Sequence, residues 1–180
     1  MSDESRQSPP SPSPGTTCAI VVTYNPDAQF TKRLRLVAAQ FPRVIIVDNG
    51  SARQSLQTLS TLSDDSAIKL CFNSTNLGIA EALNQGVSQA LREGFVWGVT
   101  LDQDTVVFPD LLETLIAVHA QSGAGCVVVG GNYHNINKQK NYIDCKPGTQ
   151  CYRECKTLIT AGTMIPLEIA RRIGGFRSDY

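Results

Sequence analysis

Short apolar runs that alternate with stretches of helical periodicity most strongly constrain the fold of this chain. Four such runs, rich in β-branched and aromatic residues, predict buried strands at residues 18–23, 44–48, 68–72 and 95–101. Between them, apolar residues recur every three or four positions, which is typical of amphipathic helices. Because strands and helices that alternate across short loops form parallel sheets, we predict a doubly wound, mostly parallel α/β fold with helices on both faces.

The helices between these runs are predicted from their apolar faces and their ends. The first buries Leu34 and Val37, and Ser51 is placed to cap the second. The third extends from about residue 78 to 93. Its inward face is expected to contain Ile79, Leu83, Val87 and Leu91. A fourth helix is predicted from Pro109 to Ala120.

The second half of the chain has weaker periodicity. Residues 126–129 and 157–160 are predicted to be strands, and the polar segment 132–154 between them a loop with room for a hairpin. A short helix is expected at residues 166–173, ending at a Gly-Gly pair.

The composition suits one folded domain behind a polar tail. The chain has 180 residues, 42% of them hydrophobic, and a formal net charge of zero. No cluster of Lys and Arg interleaved with aromatic residues marks a nucleic-acid partner, and no apolar stretch is long enough for a membrane span. Residues 1–15 are rich in proline and serine, so we expect a disordered tail there and the folded domain at residues 16–180.

Two carboxylates stand where the fourth predicted strand meets water. Asp102 and Asp104 follow the apolar run at residues 95–101, and open α/β sheets bind ligands outside such strand ends. Alternate residues of an extended segment point the same way, so the pair can converge on one divalent cation. Mg²⁺ or Mn²⁺ with phosphate oxygens suits such oxygen ligands. The alternative is a turn, which also favours Asp.

The cysteines and histidines give no comparable pattern. Cys18, Cys71 and Cys126 lie in or beside apolar runs and are predicted to be core thiols. A second trio is spaced C-x5-C-x3-C, without the tight pairs of structural zinc sites, which favours thiols without a metal. This trio is Cys145, Cys151 and Cys155. Both histidines, His119 and His134, are predicted to be structural.

Polar signatures follow all four strands in order. They are Thr23-Tyr24-Asn25-Pro26, Asp48-Asn49-Gly50-Ser51, Asn73-Ser74-Thr75-Asn76-Leu77-Gly78 and Asp102-Gln103-Asp104. This series resembles the family 2 inverting glycosyltransferases of the GT-A fold, and is most similar to the bacterial dTDP-rhamnosyltransferases. The resemblance extends over residues 18–180. It implies a GT-A domain whose Rossmann-like half binds a nucleotide sugar.

The resemblance also implies roles for individual residues. The strand-end residues Thr23, Tyr24 and Asn25 would border the base, and Asp48 would accept a hydrogen bond from the base's imide N–H. Asn76 and Gly78 would belong to the loop that approaches the nucleotide. Each of these residues also suits an ordinary turn or helix start.

In the same resemblance, Asp104 would coordinate Mg²⁺ or Mn²⁺, and Asp102 would contact the ribose or the metal. Ala161-Gly162-Thr163-Met164 would form the floor of the acceptor site, and Gly174-Gly175-Phe176 would precede the catalytic segment. The family's general base is expected after Tyr180, so we expect a domain incomplete at its C-terminus that binds nucleotide and transfers sugar poorly or not at all.

The implied reaction is transfer of a sugar, with inversion, from a nucleotide sugar to an acceptor. The donor would be dTDP-rhamnose, and the acceptor a polysaccharide or lipid-linked glycan of the cell envelope. The expected location is the cytoplasm, with peripheral association at the inner face of the cell membrane. A non-catalytic nucleotide-binding fragment is the main alternative.

Three other enzyme classes fit the residues less well. A haloacid-dehalogenase-like phosphatase usually carries its Asp-x-Asp after the first strand, with Thr at the position that Val106 occupies here. A nucleotidyltransferase usually has a Gly-rich, basic loop after the first strand, and residues 23–30 contain neither Gly nor Lys. A Rossmann dehydrogenase requires G-x-G-x-x-G at the start of its first helix, which is absent.

Overall fold

The computed structural model describes residues 9–123, 128–135, 139–143 and 152–177. Its strands are β1 (Thr17–Thr23), β2 (Val44–Asp48), β3 (Ile68–Phe72), β4 (Trp97–Asp102), β5 (Val129–Gly130), β6 (His134–Asn135), β7 (Lys140–Asn141) and β8 (Thr163–Pro166). Its helices are α1 (Phe30–Ala38), α2 (Arg53–Ser60), α3 (Ile79–Arg92), α4 (Leu111–Gln121) and α5 (Leu167–Arg172). Short 3-10 turns span Pro14–Thr16 and Thr61–Asp64.

Six of the strands form one sheet in the order β3-β2-β1-β4-β8-β5. Strands β1 to β4 are parallel to one another, whereas β8 is antiparallel to both β4 and β5. The predicted α/β fold with a mostly parallel sheet is therefore confirmed. Because parallel strands end at the same edge, the segments after β1, β2, β3 and β4 meet there, and β8 begins beside them.

The core has two layers, one on each face of the sheet. Alternate residues of β1 point to opposite faces, so Val21 packs with α1 and α4 while Ile20 packs with α3 and α5. Every residue of β1 and β2 is buried, which explains why both read as continuous apolar runs rather than as alternating ones. Cys18 lies in the second layer, as predicted for a core thiol.

The inward face of α3 differs at its first turn from the predicted one. Ile79 is 52% exposed, because the helix begins beyond the edge of the sheet. The buried residues of the helix include the small residue Gly86, which the sequence pattern did not indicate. A Cβ on Gly86 would lie 2.3 Å from Cγ2 of Ile20, so its absence lets α3 lie close against β1.

The last strand of the described chain lies later than predicted. Residues 157–160 form no strand, and the carbonyls of Ile159 and Thr160 accept hydrogen bonds from the hydroxyls of Thr163 and Thr100. The strand is instead β8, which carries the buried Met164. Of the predicted strand at 126–129, residues 126 and 127 lie outside the described residues, and β5 begins at Val129.

The described part of the N-terminal tail packs on the domain, contrary to the expected disorder of residues 1–15. The carbonyl of Pro10 accepts a hydrogen bond from the indole Nε1 of Trp97 at 2.7 Å. Pro12 is buried, and Ser13 forms a capping box with Thr16 at the start of a 3-10 turn. The reason is tertiary, since the buried indole of Trp97 needs an acceptor. Residues 1–8 lie outside the described residues.

In the described segments, no helix is both long and apolar enough to cross a lipid bilayer.

Candidate functional site

Hydrogen bonds join the polar segments that follow the parallel strands. The backbone N–H of Asn49 donates to the carbonyl of Thr23 at 2.7 Å, and that of Asn73 donates to the carbonyl of Asp48 at 2.8 Å. The structure thus brings the segments after β1, β2 and β3 into contact at one edge of the sheet.

Asp48 lies beneath this edge rather than on it. Its carboxylate accepts hydrogen bonds from the Thr23 hydroxyl at 2.9 Å and from both the hydroxyl and the backbone N–H of Ser51. Asp48 and Thr23 are both 0% exposed, so neither side chain reaches a ligand in this conformation. Direct contact of Asp48 with a base, as the resemblance implied, would require Ser51 to release the carboxylate.

Asn25 holds the residue that precedes α2. Its side-chain Oδ1 accepts a hydrogen bond from the backbone N–H of Ala52 at 2.8 Å, and its own N–H donates to Oγ of Ser51 at 2.7 Å. The prediction that the Ser51 side chain caps this helix is therefore wrong, since its hydroxyl is bonded to Asp48 and to Asn25. Asn25 has a φ of +48°, a conformation that Asn tolerates better than most residues.

Asn49 holds the segment between β3 and α3. Its Nδ2 donates to Oδ1 of Asn76 at 2.8 Å and to the carbonyl of Gly78 at 3.1 Å, while its Oδ1 accepts from the N–H of Leu77 at 3.0 Å. Asn49 is 3% exposed, so these bonds replace water. The sequence places Asn49 in one of the four polar signatures but does not predict these contacts.

Two glycines bound this segment in different ways. Gly50 has a φ of +83°, and a Cβ there would lie 2.4 Å from the backbone carbon of Thr75, so only glycine fits. Gly78 has a φ of +86°, but a Cβ there would meet nothing within 4 Å. Gly78 therefore borders open space at the start of α3, beside the exposed Asn76.

Gln103, between the two aspartates, fastens the segment after β4 to the segment after β1. Its Oε1 accepts from the N–H of Tyr24 at 2.8 Å, and its Nε2 donates to the carbonyl of Tyr24 at 3.2 Å. Nε of Arg33 donates to the carbonyl of Gln103 at 2.9 Å. The Tyr24 side chain stays 48% exposed above these contacts. The sequence pattern does not indicate this role of Gln103.

Asp102 and Asp104 lie at the same edge and interact electrostatically. Burial raises the pKa of Asp102 above its ordinary value, and the negative charge of Asp104 adds to the rise. Asp102 is half-buried and Asp104 is exposed. A carboxylate that a second negative charge disfavours in its ionised form suits a divalent cation, so the pair fits a bound Mg²⁺ or Mn²⁺.

The same pair would not fill a coordination shell alone. Over the described ranges, no group of three or more His, Cys, Asp or Glu side chains is placed to hold a metal ion. A cation at Asp102 and Asp104 would take its remaining ligands from water and from a ligand's phosphate oxygens, as Mg²⁺ commonly does.

The segment that begins β8 adjoins the aspartate edge. The N–H of Gly162 donates to the carbonyl of Thr100 at 2.7 Å, and its carbonyl accepts from the N–H of Gly131 at 2.8 Å. Residues 161–164, which the resemblance places in an acceptor floor, are thus joined to β4 two residues before Asp102. The Gly174-Gly175-Phe176 segment is held by Asn84 of α3, and residues 178–180 lie outside the described residues.

Among the remaining cysteines and histidines, those that the structure describes do not contribute to this edge. Cys145 and Cys151 lie outside the described residues, and Cys155 is exposed. His119 meets the ring of Trp97 edge-on at 4.9 Å, and Nδ1 of His134 is 2.9 Å from Oδ1 of Asn141. Burial raises the pKa of the Cys18 thiol to about 12, which keeps it protonated and unreactive.

Comparison with known families gives one match that covers most of the chain. The model of glycosyl transferase family 2 matches residues 18–165. This range contains all but the first residue of β1, the whole of β2 to β7, most of β8, and the segments that follow β1 to β4.

Two curated relatives are glycosyltransferases. An uncharacterized glycosyltransferase of Haemophilus influenzae is 31% identical over 101 residues, which cover 56% of this chain and 38% of the relative. The dTDP-rhamnosyl transferase RfbF of Shigella flexneri is 24% identical over 172 residues, which cover 87% of this chain and 55% of the relative. The chain thus spans about half, or less, of the length of these relatives.

Solved structures share the fold. S. aureus TarS 1-349 aligns with a TM-score of 0.67 at 19% identity, covering 91% of this chain and 51% of that one. Its complex with UDP-GlcNAc aligns with a TM-score of 0.50 at 25% identity, over 59% of this chain and 31% of that one. The mannosyltransferase PcManGT of Pyrobaculum calidifontis, in complex with GDP-Man and Mn²⁺, aligns with a TM-score of 0.67 at 18% identity, over 96% and 50%.

Proposed function

Because the chain belongs to glycosyl transferase family 2, we propose that its sheet edge binds the nucleotide-sugar donor of a glycosyltransferase reaction. The observation that carries this proposal is the meeting of four strand-end segments around Asp102 and Asp104. Open α/β sheets bind nucleotides at the carboxyl ends of their strands, where these segments lie. Solved relatives hold UDP-GlcNAc or GDP-Man, which supports a nucleotide sugar as the ligand class.

In this proposal the nucleoside lies over the segments after β1, β2 and β3. The exposed Tyr24 ring and the open space beside Gly78 would border it, together with the exposed side chain of Asn76. The site also depends on three residues beneath Tyr24, namely Thr23, Asn25 and Asp48. Thr23 bonds to Asp48, and Ser51 links Asp48 to Asn25, so these hydrogen bonds fix the backbone on both sides of Tyr24. Their role is therefore to position the site rather than to touch the ligand.

Asp104 and Asp102 would hold a Mg²⁺ or Mn²⁺ ion, and Asp102 could contact the ribose of the nucleotide instead of the metal. Such a cation neutralises charge that develops on a departing diphosphate. The exposed Asp104 can approach a cation from solvent, while the half-buried Asp102 is more rigidly placed at the end of β4. A relative solved with Mn²⁺ supports this metal class.

For the sugar, we propose rhamnose from dTDP-rhamnose, transferred with inversion to a polysaccharide or lipid-linked glycan. The support is the 24% identity to a dTDP-rhamnosyl transferase over 172 residues. An enzyme with this role would work in the cytoplasm at the inner face of the cell membrane, where lipid-linked acceptors are presented.

Calorimetry with dTDP, UDP and GDP, each with and without Mn²⁺, tests the proposal. We expect dTDP to bind most tightly, and Mn²⁺ to strengthen its binding by roughly tenfold or more. The Asp104→Asn variant should lose the Mn²⁺ effect, because an amide is a weaker ligand for a hard cation.

The matched control is Asp110→Asn, at an exposed aspartate just before α4. This variant should keep the Mn²⁺ effect. Nucleotide binding that is equally tight with and without Mn²⁺ in the unchanged protein would refute the metal assignment. Absence of nucleotide binding under all conditions would refute the donor site itself.

A further inference from the structure

A small aromatic hairpin stands apart from the donor edge. Strands β6 and β7 pair antiparallel, with His134 opposite Asn141. One step before this pair, Tyr133 and Tyr142 face each other, and the N–H of Tyr142 donates to the carbonyl of Tyr133 at 3.0 Å. Their rings stack with centroids 5.1 Å apart and planes inclined by 15°. We name Tyr133, Tyr142 and Arg153 the tyrosine platform.

The base of the hairpin is fixed by a side chain. Nδ2 of Asn132 donates to the carbonyl of Ile143 at 2.9 Å, and its Oδ1 accepts from the N–H of Ile143 at 2.9 Å. A two-stranded hairpin is marginally stable by itself, so this extra pair of bonds holds the two tyrosines opposite each other. The rings are therefore held in place by the hairpin.

The platform faces water although it is aromatic. Tyr133 is 37% exposed and Tyr142 is 45% exposed. The exposed Arg153 places its guanidinium carbon 4.9 Å from the centroid of the Tyr142 ring. An aromatic surface beside a fan of N–H donors offers an apolar face and hydrogen bonds together. Pyranose rings need both, because each has a face of C–H groups and a rim of hydroxyls.

The topology places the hairpin on the far side of the aspartates from the nucleoside segments. Gly130 of β5 pairs with Thr163 of β8, which pairs with Thr100 of β4, so the chain leaves β5 at the edge where Asp102 lies. Tyr133 follows three residues later, which puts its Cα within about 20 Å of the end of β4. The base-side segments lie instead over β1 to β3.

From this placement we infer that the tyrosine platform binds sugar rings of the acceptor glycan, at a distance from the transfer point. The inference rests on the proposed function, since it assumes a donor at Asp102 and Asp104. The nucleoside would occupy the edge over β1 to β3. An acceptor glycan that extends in the other direction would pass over the ends of β8 and β5 and contact the tyrosine platform. The platform thus makes an oligosaccharide a better acceptor than a single sugar.

Saturation-transfer NMR on the full chain, with Mn²⁺ and dTDP present, tests this inference. The probes are methyl glycosides and trisaccharides of rhamnose, mannose, glucose and N-acetylglucosamine. At least one trisaccharide should receive saturation on its C–H protons, and more strongly than its methyl glycoside. Tyr142→Ala should weaken its binding by about tenfold, because the Tyr133 ring then loses the stacked partner that holds it in place.

Two variants separate stacking from other causes. Tyr142→Phe keeps the ring and should bind the trisaccharide as the unchanged protein does. Phe72→Ala removes an aromatic that is 50% exposed on β3, the strand farthest from β5 in the sheet, and should also leave saccharide binding unchanged. Equal binding by Tyr142→Ala, equal loss in Tyr142→Phe, or no binding of any saccharide by the unchanged protein would each overturn the inference.

Calorimetry with dTDP and Mn²⁺ on the same preparations keeps the two proposals apart. If Tyr142→Ala binds dTDP normally, its domain is folded and a lost saccharide signal belongs to the platform. If saccharide binding ignores the tyrosines while dTDP binds, the platform fails and the donor site stands. If dTDP does not bind to the unchanged protein, the donor proposal fails first.

Discussion

The side-chain amide of Asn84 and the backbone of Phe176 form a reciprocal pair of hydrogen bonds across 92 residues of sequence. Nδ2 of Asn84 donates to the Phe176 carbonyl at 2.9 Å, and the Phe176 N–H donates to Oδ1 of Asn84 at 2.8 Å. The amide thus pairs with the Phe176 backbone as the backbone of a neighbouring β-strand would, and it links the segment after α5 to α3. From the sequence, a structural role is expected for Asn84, and Phe176 is identified only through the resemblance, so their contact is not predicted.

Replacing Asn84 with Leu should destabilise this junction. Leu has a similar volume but leaves the Phe176 N–H and carbonyl without partners, so the free energy of unfolding should fall by about 1–3 kcal/mol. Urea denaturation followed by circular dichroism measures it. The control Ser88→Ala, one turn later on the exposed side of α3, should change it by less than about 0.5 kcal/mol. Equal effects of the two variants would contradict the role of the amide.

Gly175 should be coupled energetically to Asn84. Gly175 has a φ of +73°, and a Cβ there would lie 2.3 Å from Oδ1 of Asn84. Gly175→Ala therefore forces the amide away from Phe176. Its cost should be smaller in an Asn84→Ala background by about 1 kcal/mol, which a double-mutant cycle measures.

Gly174 supplies the control for that cycle. It also has a positive φ, of +96°, but a Cβ there meets no atom within 4 Å. Gly174→Ala should cost stability through its backbone alone. Its cost should be the same whether or not Asn84 is present, and coupling as large as that of Gly175 would refute the contact.

Gln103 should affect ligand binding more than stability. Gln103→Ala removes two hydrogen bonds to the backbone of Tyr24, which water can replace at this exposed position. We expect the melting temperature to change little and the affinity for dTDP with Mn²⁺ to fall about tenfold, because the two segments are no longer held in register. Gln54→Ala, on the exposed side of α2, should change neither. A loss of stability without a loss of affinity would contradict this role.

Cys18 should resist thiol reagents that modify Cys155. Cys18 is 0% exposed and burial raises its pKa to about 12, whereas Cys155 is exposed. Peptide mapping after iodoacetamide at pH 8 should find Cys155 modified and Cys18 intact until urea unfolds the chain. Early modification of Cys18 in the folded protein would show that β1 opens.

The raised pKa of Cys18 also gives the sign of an alkaline effect. The folded protein holds this proton more tightly than the unfolded chain, whose thiol has an ordinary value of 9.0. The thiol's contribution to the free energy of unfolding is therefore complete below pH 9.0, and is lost as the pH rises toward about 12. A Cys18→Ala variant, compared at pH 8 and pH 11, measures this contribution.

Local periodicity was enough to predict most of the parallel sheet. The run at residues 44–48 matches β2, because a strand buried between two helical layers contains little but apolar residues. The run at residues 68–72 matches β3, but its prediction as a buried strand is wrong, because β3 is the outermost strand of the sheet and its residues are half-buried or exposed. The same signal misplaced the last strand at residues 157–160. There the short run Thr-Leu-Ile-Thr has the composition of a strand, but the backbone carbonyls of Ile159 and Thr160 bond to threonine hydroxyls instead of to a neighbouring strand.

The sequence predicts that the strand ends form the candidate site. It does not predict which of their residues face a ligand and which hold the segments together. Periodicity cannot tell that Asp48 is held beneath the edge by Ser51, or that Asn49 bonds to a segment 27 residues later. Both depend on which segments meet at the edge of the sheet. The strand-end position of Asp102 was enough to predict its place, because burial of the preceding apolar run leaves the aspartate at the boundary with water.

The bond between the Trp97 indole and the Pro10 carbonyl gives the protein an intrinsic optical reporter. The chain has one tryptophan, so its ultraviolet emission comes from a single known environment. Release of the N-terminal arm would admit water to the indole and move the emission to longer wavelength. The rate at which that arm binds to and leaves the domain can therefore be followed by tryptophan fluorescence, without any added dye.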